Sequence, residues 1–319
     1  MQIEEKLYQF GVIPVVTMQN SADASKVADS LKEGGLPLIE ITLRTEAALD
    51  AIEQIANQCP DVLLGAGTIN SIEDAKAAQF AGAQFLVAPG FNPKIAEYCL
   101  NEEIPFFPGV ITPGEIDQAK DMGFLNLKLF PIEAAGGLPW LKAVGAPHPD
   151  IRFIPTGGIN PDNLVQYIRH PLVLACGGSW LADKQSIADQ NFDSIRVRAQ
   201  QAVQSVLGFT LHHGGVHFSD FDQAIEAAKG FKTVINGDMF VAGTSAMVDG
   251  KVEFMSGNKY AEKGHIALGT NSIPRALSYL AGHEIYMIID SEIINDKNEI
   301  IAVYLDYKID EFAVHLVKN

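Results

Sequence analysis

The sequence has few cysteines, few basic residues and no long apolar run. Its three cysteines, Cys59, Cys99 and Cys176, lie far apart and form no CxxC pair, which argues against a disulfide framework and a zinc ribbon and is typical of a reducing compartment. No stretch reaches the roughly 18 consecutive apolar residues of a membrane span, and the acidic, helix-like N-terminus is unlike an export leader. We therefore expect a soluble, cytoplasmic protein with no membrane partner.

The deficit of positive charge excludes a second class of partner. The chain has 23 Lys and Arg against 39 Asp and Glu, a formal charge of -16, which repels nucleic acid and anionic lipid. Small-molecule chemistry is favoured instead. The length of 319 residues suggests two domains.

A short apolar run followed by a helix-like segment recurs eight times between residues 11 and 180. The intervening segments are amphipathic at a 3.6-residue period, and several begin with a Ser, Thr or Asn cap. Eight such units predict a closed parallel (β/α)8 TIM barrel, because an open doubly wound sheet usually has fewer strands. We place this barrel in residues 1–207, with Gly208 as the cap of its last helix. The predicted strands are 11–16, 37–44, 61–69, 84–90, 104–110, 124–131, 151–158 and 172–178.

Polar residues gather where the predicted barrel strands end, which is where TIM barrels carry their chemistry. Lys128 lies in the sixth run and Glu40 in the second. In both runs the face opposite the charged residue is entirely apolar and therefore suits packing against helices, so Lys128 and Glu40 are expected to point into the barrel. Leaving either charge unpaired there would be costly.

Two interpretations of this pair are open. One is a structural ion pair in the barrel interior. The other is covalent catalysis, because burial disfavours the ammonium form of a lysine and the neutral amine can attack a ketone to form a Schiff base. The iminium accepts electrons, so that a neighbouring carbon–carbon bond can break while Glu40 moves protons. That second chemistry is the chemistry of an aldolase.

Glycine-rich turns follow the seventh and eighth predicted strands, TGG at 156–158 and CGGS at 176–179. Barrels commonly bind phosphate at this place through backbone N–H groups, so we expect a phosphorylated substrate. The alternative is that these glycines only allow tight turns at the corners of the barrel. Arg44, at the end of the second run, offers a planar bidentate donor for a carboxylate such as that of a 2-oxo acid. Its alternative role is that of a surface arginine at a helix start.

Seven short motifs, in order at the predicted strand ends, together resemble the family of 2-dehydro-3-deoxy-6-phosphogluconate (KDPG) and 4-hydroxy-2-oxoglutarate (KHG) aldolases. The resemblance covers residues 1 to about 207. It implies a class I aldolase of the Entner–Doudoroff route, homotrimeric and without metal or other cofactor, which releases pyruvate with glyceraldehyde 3-phosphate, or with glyoxylate from KHG. The motifs are EITLRT (40–45), GAGT (65–68), APG (88–90), PGVITPGE (108–115), KLFP (128–131), PTGG (155–158) and GGSW (177–180).

The same resemblance assigns a role to each motif residue. It places the Schiff base on Lys128 and general acid–base work on Glu40, and it has Arg44 and Thr68 hold the pyruvate carboxylate. The other implied substrate contacts are the apolar walls Pro89 and Phe130, the substrate-chain neighbour Thr156, and the phosphate-binding residues Gly157, Gly158, Gly178 and Ser179.

Residues 208–319 lie beyond the predicted barrel and contain an internal repeat. HGGVHFSDFDQAIEAA (213–228) aligns with HIALGTNSIPRALSYL (265–280), and KVEFMSG (251–257) aligns with AVHLVKN (313–319). Each half is predicted as a strand, a helix and further strands, which gives a smaller α+β domain of two βαβββ modules. This arrangement resembles the vicinal oxygen chelate (VOC) superfamily, which includes glyoxalases and extradiol dioxygenases.

The second resemblance implies a divalent metal site at the first-strand and last-strand positions of the two repeats, on His213, Glu253, His265 and His315. Such a His/Glu set suits Zn, Mn, Ni or Fe. His315 departs from the glutamate usual at the last position, and His212 and His217 are alternative ligands. The competing interpretation is a domain of this kind that has lost its metal site, because single histidines on strands are more often hydrogen-bonded core or surface residues.

Three functions follow for the whole chain. The favoured one is an aldolase whose substrate is a 2-oxo-3-deoxy sugar acid phosphate or KHG, with the second domain as a passenger. The second is a regulator that binds such acids without catalysis, against which Lys128, Glu40 and Arg44 argue. The third is a bifunctional protein whose appended domain acts on a related oxo compound.

Overall fold

The computed structural model describes residues 2–257, 260–296 and 298–319. The chain divides into two compact units, the first extending to Val206 and the second spanning Leu207–Asn319. Within those described ranges, no helix combines the length and the apolar character needed to cross a membrane.

The first unit is a closed barrel of parallel strands, which confirms the α/β barrel predicted from the eight repeats. Strands β1 to β5 are neighbours in chain order, β6 to β8 likewise, and β9 returns to pair with β1. Bridges between Phe153 and Val173 and between Thr156 and Gly177 connect β8 to the β9 segment. The strands are β1 Val12–Val16, β2 Leu38–Thr42, β3 Leu63–Gly67, β4 Phe85–Val87, β5 Phe106–Phe107, β6 Gly109–Val110, β7 Asn126–Leu129, β8 Arg152–Pro155 and β9 Cys176–Gly178.

The fifth predicted strand is divided into β5 and β6 by Pro108. Proline has no N–H to donate to a neighbouring strand, so it interrupts regular pairing. Its carbonyl still accepts from the backbone N–H of Lys128 at 2.9 Å. The interruption therefore leaves Lys128 anchored to the adjacent strand.

Amphipathic helices surround the barrel, and several begin at the predicted caps. Ser71 and Thr112 each form a capping box, with Asp74 and Glu115 respectively, and Asn92 caps a helix whose first residue is Pro93. The helices are α1 Ile3–Phe10, α2 Ala24–Glu33, α3 Ala48–Gln58, α4 Ile72–Phe80, α5 Pro93–Asn101, α6 Pro113–Asp121, α7 Ile132–Ala135, α8 Gly137–Gly145, α9 Leu164–Ile168, α10 Lys184–Ala188 and α11 Phe192–Leu207, with a 3₁₀ turn at Ser21–Asp23.

In the part of the second unit that the structure describes, one eight-stranded sheet is accompanied by two helices. Its strands are ordered β11-β12-β13-β10-β14-β17-β16-β15. The helices are α12 Phe221–Ile235 and α13 Ile273–Ala281. The strands are β10 Thr210–Phe218, β11 Met239–Ala242, β12 Ser245–Val248, β13 Val252–Ser256, β14 Gly264–Thr270, β15 Ile293–Ile294, β16 Ile300–Ile309 and β17 Phe312–Lys318.

The two halves of this sheet have the same strand order. In each half the last strand pairs in parallel with the first, β13 with β10 and β17 with β14. The first strands, β10 and β14, pair antiparallel and join the halves into one sheet. The residues of these four central strands therefore lie side by side although they come from chain segments about 50 and 100 residues apart.

Candidate active site and candidate metal centre

Lys128 on β7 and Glu40 on β2 meet inside the barrel. Lys128 Nζ lies 3.5 Å from Glu40 Oε1, and the two side chains are only 5% and 3% exposed. The Phe130 ring centre is 5.4 Å from the same nitrogen. Because a buried charge is costly without a partner, each group stabilises the other, and the amine is shielded from bulk water.

The Glu40 carboxylate occupies the space that a side chain at Gly67 would take. An ideal Cβ at Gly67 would lie 2.0 Å from Glu40 Oε1 and 2.7 Å from its carboxyl carbon. Gly67 ends β3, the strand that pairs with β2. The glycine of the GAGT motif thus makes room for the carboxylate beside Lys128.

Arg44 and Thr68 form a second contact at the same ends of β2 and β3. Arg44 Nε donates to Thr68 Oγ1 at 3.2 Å, and the arginine is exposed. Thr68 has φ 64°, a left-handed conformation that costs a β-branched residue on the order of 1 kcal/mol or more. Such strain is retained where the surrounding structure requires it, and here it accompanies the contact of the Thr68 hydroxyl with an exposed guanidinium.

The two glycine turns lie together after β8 and β9. Thr156 pairs with Gly177, and an added Cβ on Gly177 would lie 2.3 Å from the Thr156 hydroxyl. Gly157 and Gly158 both have φ 94°, which other residues rarely adopt. Phe130 packs on Gly157, Trp180 packs on Gly178, and Ser179 is exposed beside them.

Pro89 follows β4 and is half-buried. It packs against Gly109, where an added Cβ would lie 2.3 Å from the Pro89 carbonyl carbon. These contacts link the motif residues in small groups: Lys128 with Glu40 and Phe130, Arg44 with Thr68, and Thr156 with the glycine turns.

Several neighbours of the site were not identified from the sequence. Thr42 is buried on the same strand face as Glu40, and its hydroxyl lies 2.9 Å from that of Thr17; its parity with Glu40 was the available signal. Glu133, after the KLFP motif, accepts a hydrogen bond from the buried Tyr167 hydroxyl. No local pattern relates those two residues, which are 34 positions apart.

In the second unit, His213, His265 and His315 converge from β10, β14 and β17. One ring nitrogen of each lies within 4.8 Å of those of the others. Glu253 on β13 joins them, with Oε2 3.2 Å from His265 Nε2 and 3.7 Å from His213 Nε2. Among the described residues of this cluster, four buried imidazole nitrogens have no hydrogen-bond partner: His213 Nε2, His265 Nε2 and both ring nitrogens of His315.

The hydrogen bonds around His265 determine which of its nitrogens carries a lone pair. His217 Nδ1 lies 3.0 Å from the Ala261 carbonyl, which only accepts, so His217 carries its proton on Nδ1. Burial lowers the pKa of His217, and in the neutral ring Nε2 accepts from His265 Nδ1 at 3.1 Å. A neutral His265 ring that donates from Nδ1 carries its lone pair on Nε2, which lies 3.2 Å from Glu253 Oε2, and a cation between the two would stabilise that arrangement.

The charges of the cluster also suit a cation. Burial, with the neighbouring His265, lowers the pKa of His213 to about 4, and burial lowers that of His315 to about 3. The site therefore presents the neutral imidazoles of His213 and His315 and the ionised carboxylate of Glu253 at neutral pH, groups that commonly bind a divalent transition metal.

The two alternative histidines lie beside this cluster. His212 is exposed, and its Nδ1 is 2.8 Å from Nδ1 of His213, on the side of the ring away from Nε2. His217 contacts His265 and also lines a cleft of about 780 Å³, together with Tyr260 and Lys308. His212 and His217 therefore contact histidines of the cluster, but they do not belong to the group of three converging imidazoles.

Comparison with known proteins concerns the first unit. The family profile described as KDPG and KHG aldolase matches residues 3–197. A 2-dehydro-3-deoxy-phosphogluconate aldolase of Treponema pallidum is 46% identical over 204 residues, which cover 64% of this chain and 97% of that protein. A KHG/KDPG aldolase of Escherichia coli is 37% identical over 193 residues, covering 60% of this chain and 91% of that protein.

Solved structures of similar chains are also available. A KDPG aldolase of Legionella pneumophila, crystallised with pyruvate captured at low pH as a covalent carbinolamine intermediate, superposes with a TM-score of 0.62 at 36% identity. The match covers 63% of this chain and 98% of that chain. Nearly the whole length of that aldolase therefore corresponds to part of this chain.

Proposed function

Because the chain belongs to the KDPG and KHG aldolase family, we propose that it is a class I aldolase that cleaves KDPG to pyruvate and glyceraldehyde 3-phosphate, or KHG to pyruvate and glyoxylate. The observation that carries this proposal is the buried contact of 3.5 Å between Lys128 Nζ and Glu40 Oε1. It supplies an amine shielded from water together with a group that can transfer protons.

The reaction begins when the Lys128 amine attacks C2 of the substrate. Glu40, directly or through water, assists loss of water from the carbinolamine, which gives an iminium. Glu40 then takes the proton of the C4 hydroxyl, the C3–C4 bond breaks, and its electron pair moves to the iminium as an enamine while the aldehyde leaves. Protonation of C3 and attack of water on the regenerated iminium release pyruvate and the free lysine.

The substrate contacts follow the motif residues. We place the carboxylate of the 2-oxo acid on Arg44 and Thr68, since their contact puts a bidentate donor beside a hydroxyl. Pro89 and Phe130 form apolar walls, and Thr156 faces the substrate chain. The phosphate, or the distal carboxylate of KHG, lies on Gly157, Gly158, Gly178 and Ser179, where two left-handed glycines allow close approach of the backbone.

Borohydride reduction in the presence of pyruvate tests the Schiff base. We expect a stable adduct on Lys128, and we expect Lys128→Met to lose both the adduct and pyruvate release. Lys120, a half-buried lysine paired with Asp150, provides the matched control, since Lys120→Met should retain both. An unmodified Lys128 in an active enzyme would overturn the proposal, and a protein that binds these acids without releasing pyruvate would be a regulator.

We also propose that the aldolase unit assembles as a homotrimer in the cytoplasm. Phe80 at the end of α4 is 96% exposed, and an interface between copies would remove this aromatic ring from water. Light scattering after size-exclusion chromatography measures the assembly. We expect Phe80→Ser to shift the trimer toward monomer, and a monomeric wild-type chain would refute the trimer.

For the second unit, we propose two βαβββ modules of the VOC kind that hold one divalent metal on His213, Glu253, His265 and His315. The four unpartnered imidazole nitrogens beside an ionised carboxylate support this site. A metal bound there would supply Lewis acidity. This function is a second candidate activity of a bifunctional chain.

Metal titration tests this site. Calorimetry with Zn²⁺, Ni²⁺ or Mn²⁺ should give one equivalent per chain, and His315→Ala should lose it. His283, exposed in the same unit, supplies the matched control, since His283→Ala should bind normally. Less than one equivalent after supplementation would refute the metal site without affecting the aldolase.

A further inference from the structure

Tyr167 has a buried hydroxyl that the aldol chemistry does not use. Tyr167 lies on α9 and is 1% exposed. Its hydroxyl donates to Glu133 Oε1 in a short hydrogen bond. Burial, together with this bond, raises the pKa of Tyr167. The hydroxyl therefore keeps its proton at neutral pH and acts as a permanent donor to one carboxylate oxygen.

Glu133, the partner of Tyr167, lies against the turn after β8. Its backbone N–H donates to the Gly157 carbonyl at 3.1 Å. An ideal Cβ at Gly158 would lie 2.5 Å from both Cβ and Cγ of Glu133. The aliphatic stem of an exposed glutamate thus covers a glycine that we place under the substrate phosphate.

The carboxylate end of Glu133 is directed to a different residue. Its Oε1 is 3.3 Å from the ideal Cβ position of Gly137, and the Tyr167 hydroxyl is 3.4 Å from the same point. The three atoms nearest to the corresponding position on Gly158 are all carbons of Glu133. The hydrogen bond from Tyr167 therefore keeps the negative charge at Gly137 while the stem remains on Gly158.

We propose that Tyr167 is a positioning residue that holds the Glu133 carboxylate away from the phosphate-binding turn and so favours a substrate with a doubly charged distal group. The inference rests on the proposed phosphate site at Gly157 and Gly158. A phosphate monoester carries nearly two negative charges at neutral pH, whereas the distal carboxylate of KHG carries one. Once released from Tyr167, the Glu133 carboxylate can swing toward the turn by rotation about the Cβ–Cγ bond. There it would repel the doubly charged phosphate of KDPG more strongly than the singly charged distal carboxylate of KHG.

Steady-state kinetics of Tyr167→Phe tests this role. We expect KM for KDPG to rise roughly tenfold from like-charge repulsion near a partly buried site, KM for KHG to change by less than about twofold, and kcat to stay near wild type on both. Adding Glu133→Gln to Tyr167→Phe should restore KM for KDPG, because it removes the charge. A merely structural role of the hydroxyl would not be rescued in this way.

Two further measurements separate the possible failures. Glu133→Gln alone keeps an acceptor for Tyr167 and should leave KM for KDPG equal or lower. Inorganic phosphate should compete with KDPG in the wild-type enzyme. Absence of competition would overturn the phosphate site and this inference with it, although borohydride trapping with pyruvate would still report the aldolase. Competition together with an unchanged KM in Tyr167→Phe, or no rescue by Glu133→Gln, would overturn the inference alone.

Discussion

Replacing Gly67 by alanine perturbs the candidate catalytic carboxylate without changing its chemistry. The new Cβ would lie 2.0 Å from Glu40 Oε1, whereas ordinary contacts begin near 3.4 Å, so the oxygen must move by roughly 1.4 Å. Gly67 lies in a strand and has no positive φ, so alanine introduces no backbone strain of its own. The substitution therefore moves the carboxylate relative to Lys128.

The expected loss is large because proton transfer depends on position. A displacement of about 1 Å at a reacting group can cost roughly 10²-fold in rate, equivalent to about 3 kcal/mol of transition-state free energy. We expect kcat for KDPG to fall by about this factor, while overpacking lowers the free energy of unfolding by about 1–3 kcal/mol. Pyruvate release coupled to lactate dehydrogenase measures kcat, and thermal unfolding by circular dichroism measures stability.

Gly114 supplies the matched control. It lies in α6, where an added Cβ meets no atom within 4 Å, so Gly114→Ala should retain full activity. A Gly67→Ala enzyme with kcat within about threefold of wild type would show that the carboxylate need not lie beside Lys128, and it would refute the assigned role of Glu40.

The other predictions concern strain, metal binding and a buried thiol. Thr68→Gly should change the free energy of unfolding by less than about 1 kcal/mol, because the relief of left-handed backbone strain offsets the greater conformational entropy that glycine gives the unfolded chain. KM should rise because the hydroxyl is lost. Denaturant titration measures the stability, and steady-state kinetics measures KM. Gly215→Ala, whose Cβ would lie 1.9 Å from the His265 ring, should weaken metal affinity about tenfold or more, whereas Gly214→Ala, with no neighbour within 4 Å, should not. Chelation of bound metal by EDTA should lower the thermal midpoint of the second unit. Burial raises the pKa of Cys99 to about 11, so its thiol should react slowly with DTNB at pH 8 until urea is added, and its contribution to stability, complete below pH 9, should decline as pH rises toward 11.

Local periodicity was sufficient to predict the barrel and to select the residues at its centre. Strand parity alone directed Lys128 and Glu40 inward, and they lie 3.5 Å apart although 88 residues separate them. The same parity places Thr42 on the face of Glu40, but it assigns the threonine no role, because a threonine on a buried strand does not stand out among apolar neighbours. Residues that break the pattern are therefore easier to find than residues that fit it.

Contacts that depend on tertiary packing left no local signal. The bond between Tyr167 and Glu133 joins helices α9 and α7, which only the closed barrel brings together. The fit of Glu40 against Gly67 depends on the register between β2 and β3. In the second unit, the repeat selected the aligned histidines, but the proton arrangement of His265 depends on its bond to His217 across 48 residues.

The antiparallel pairing of β10 with β14, the seam that joins the two halves of the sheet, affects how the second unit folds. One pair of the proposed ligands, His213 and Glu253, lies on one side of this seam and the other pair, His265 and His315, lies on the opposite side. Successive residues of a strand alternate between the two faces of a sheet, so a slip of one residue along the seam would turn one pair of ligands away from the other. Metal uptake would then distinguish correctly joined sheets from slipped ones, which makes it a direct measure of strand register during refolding.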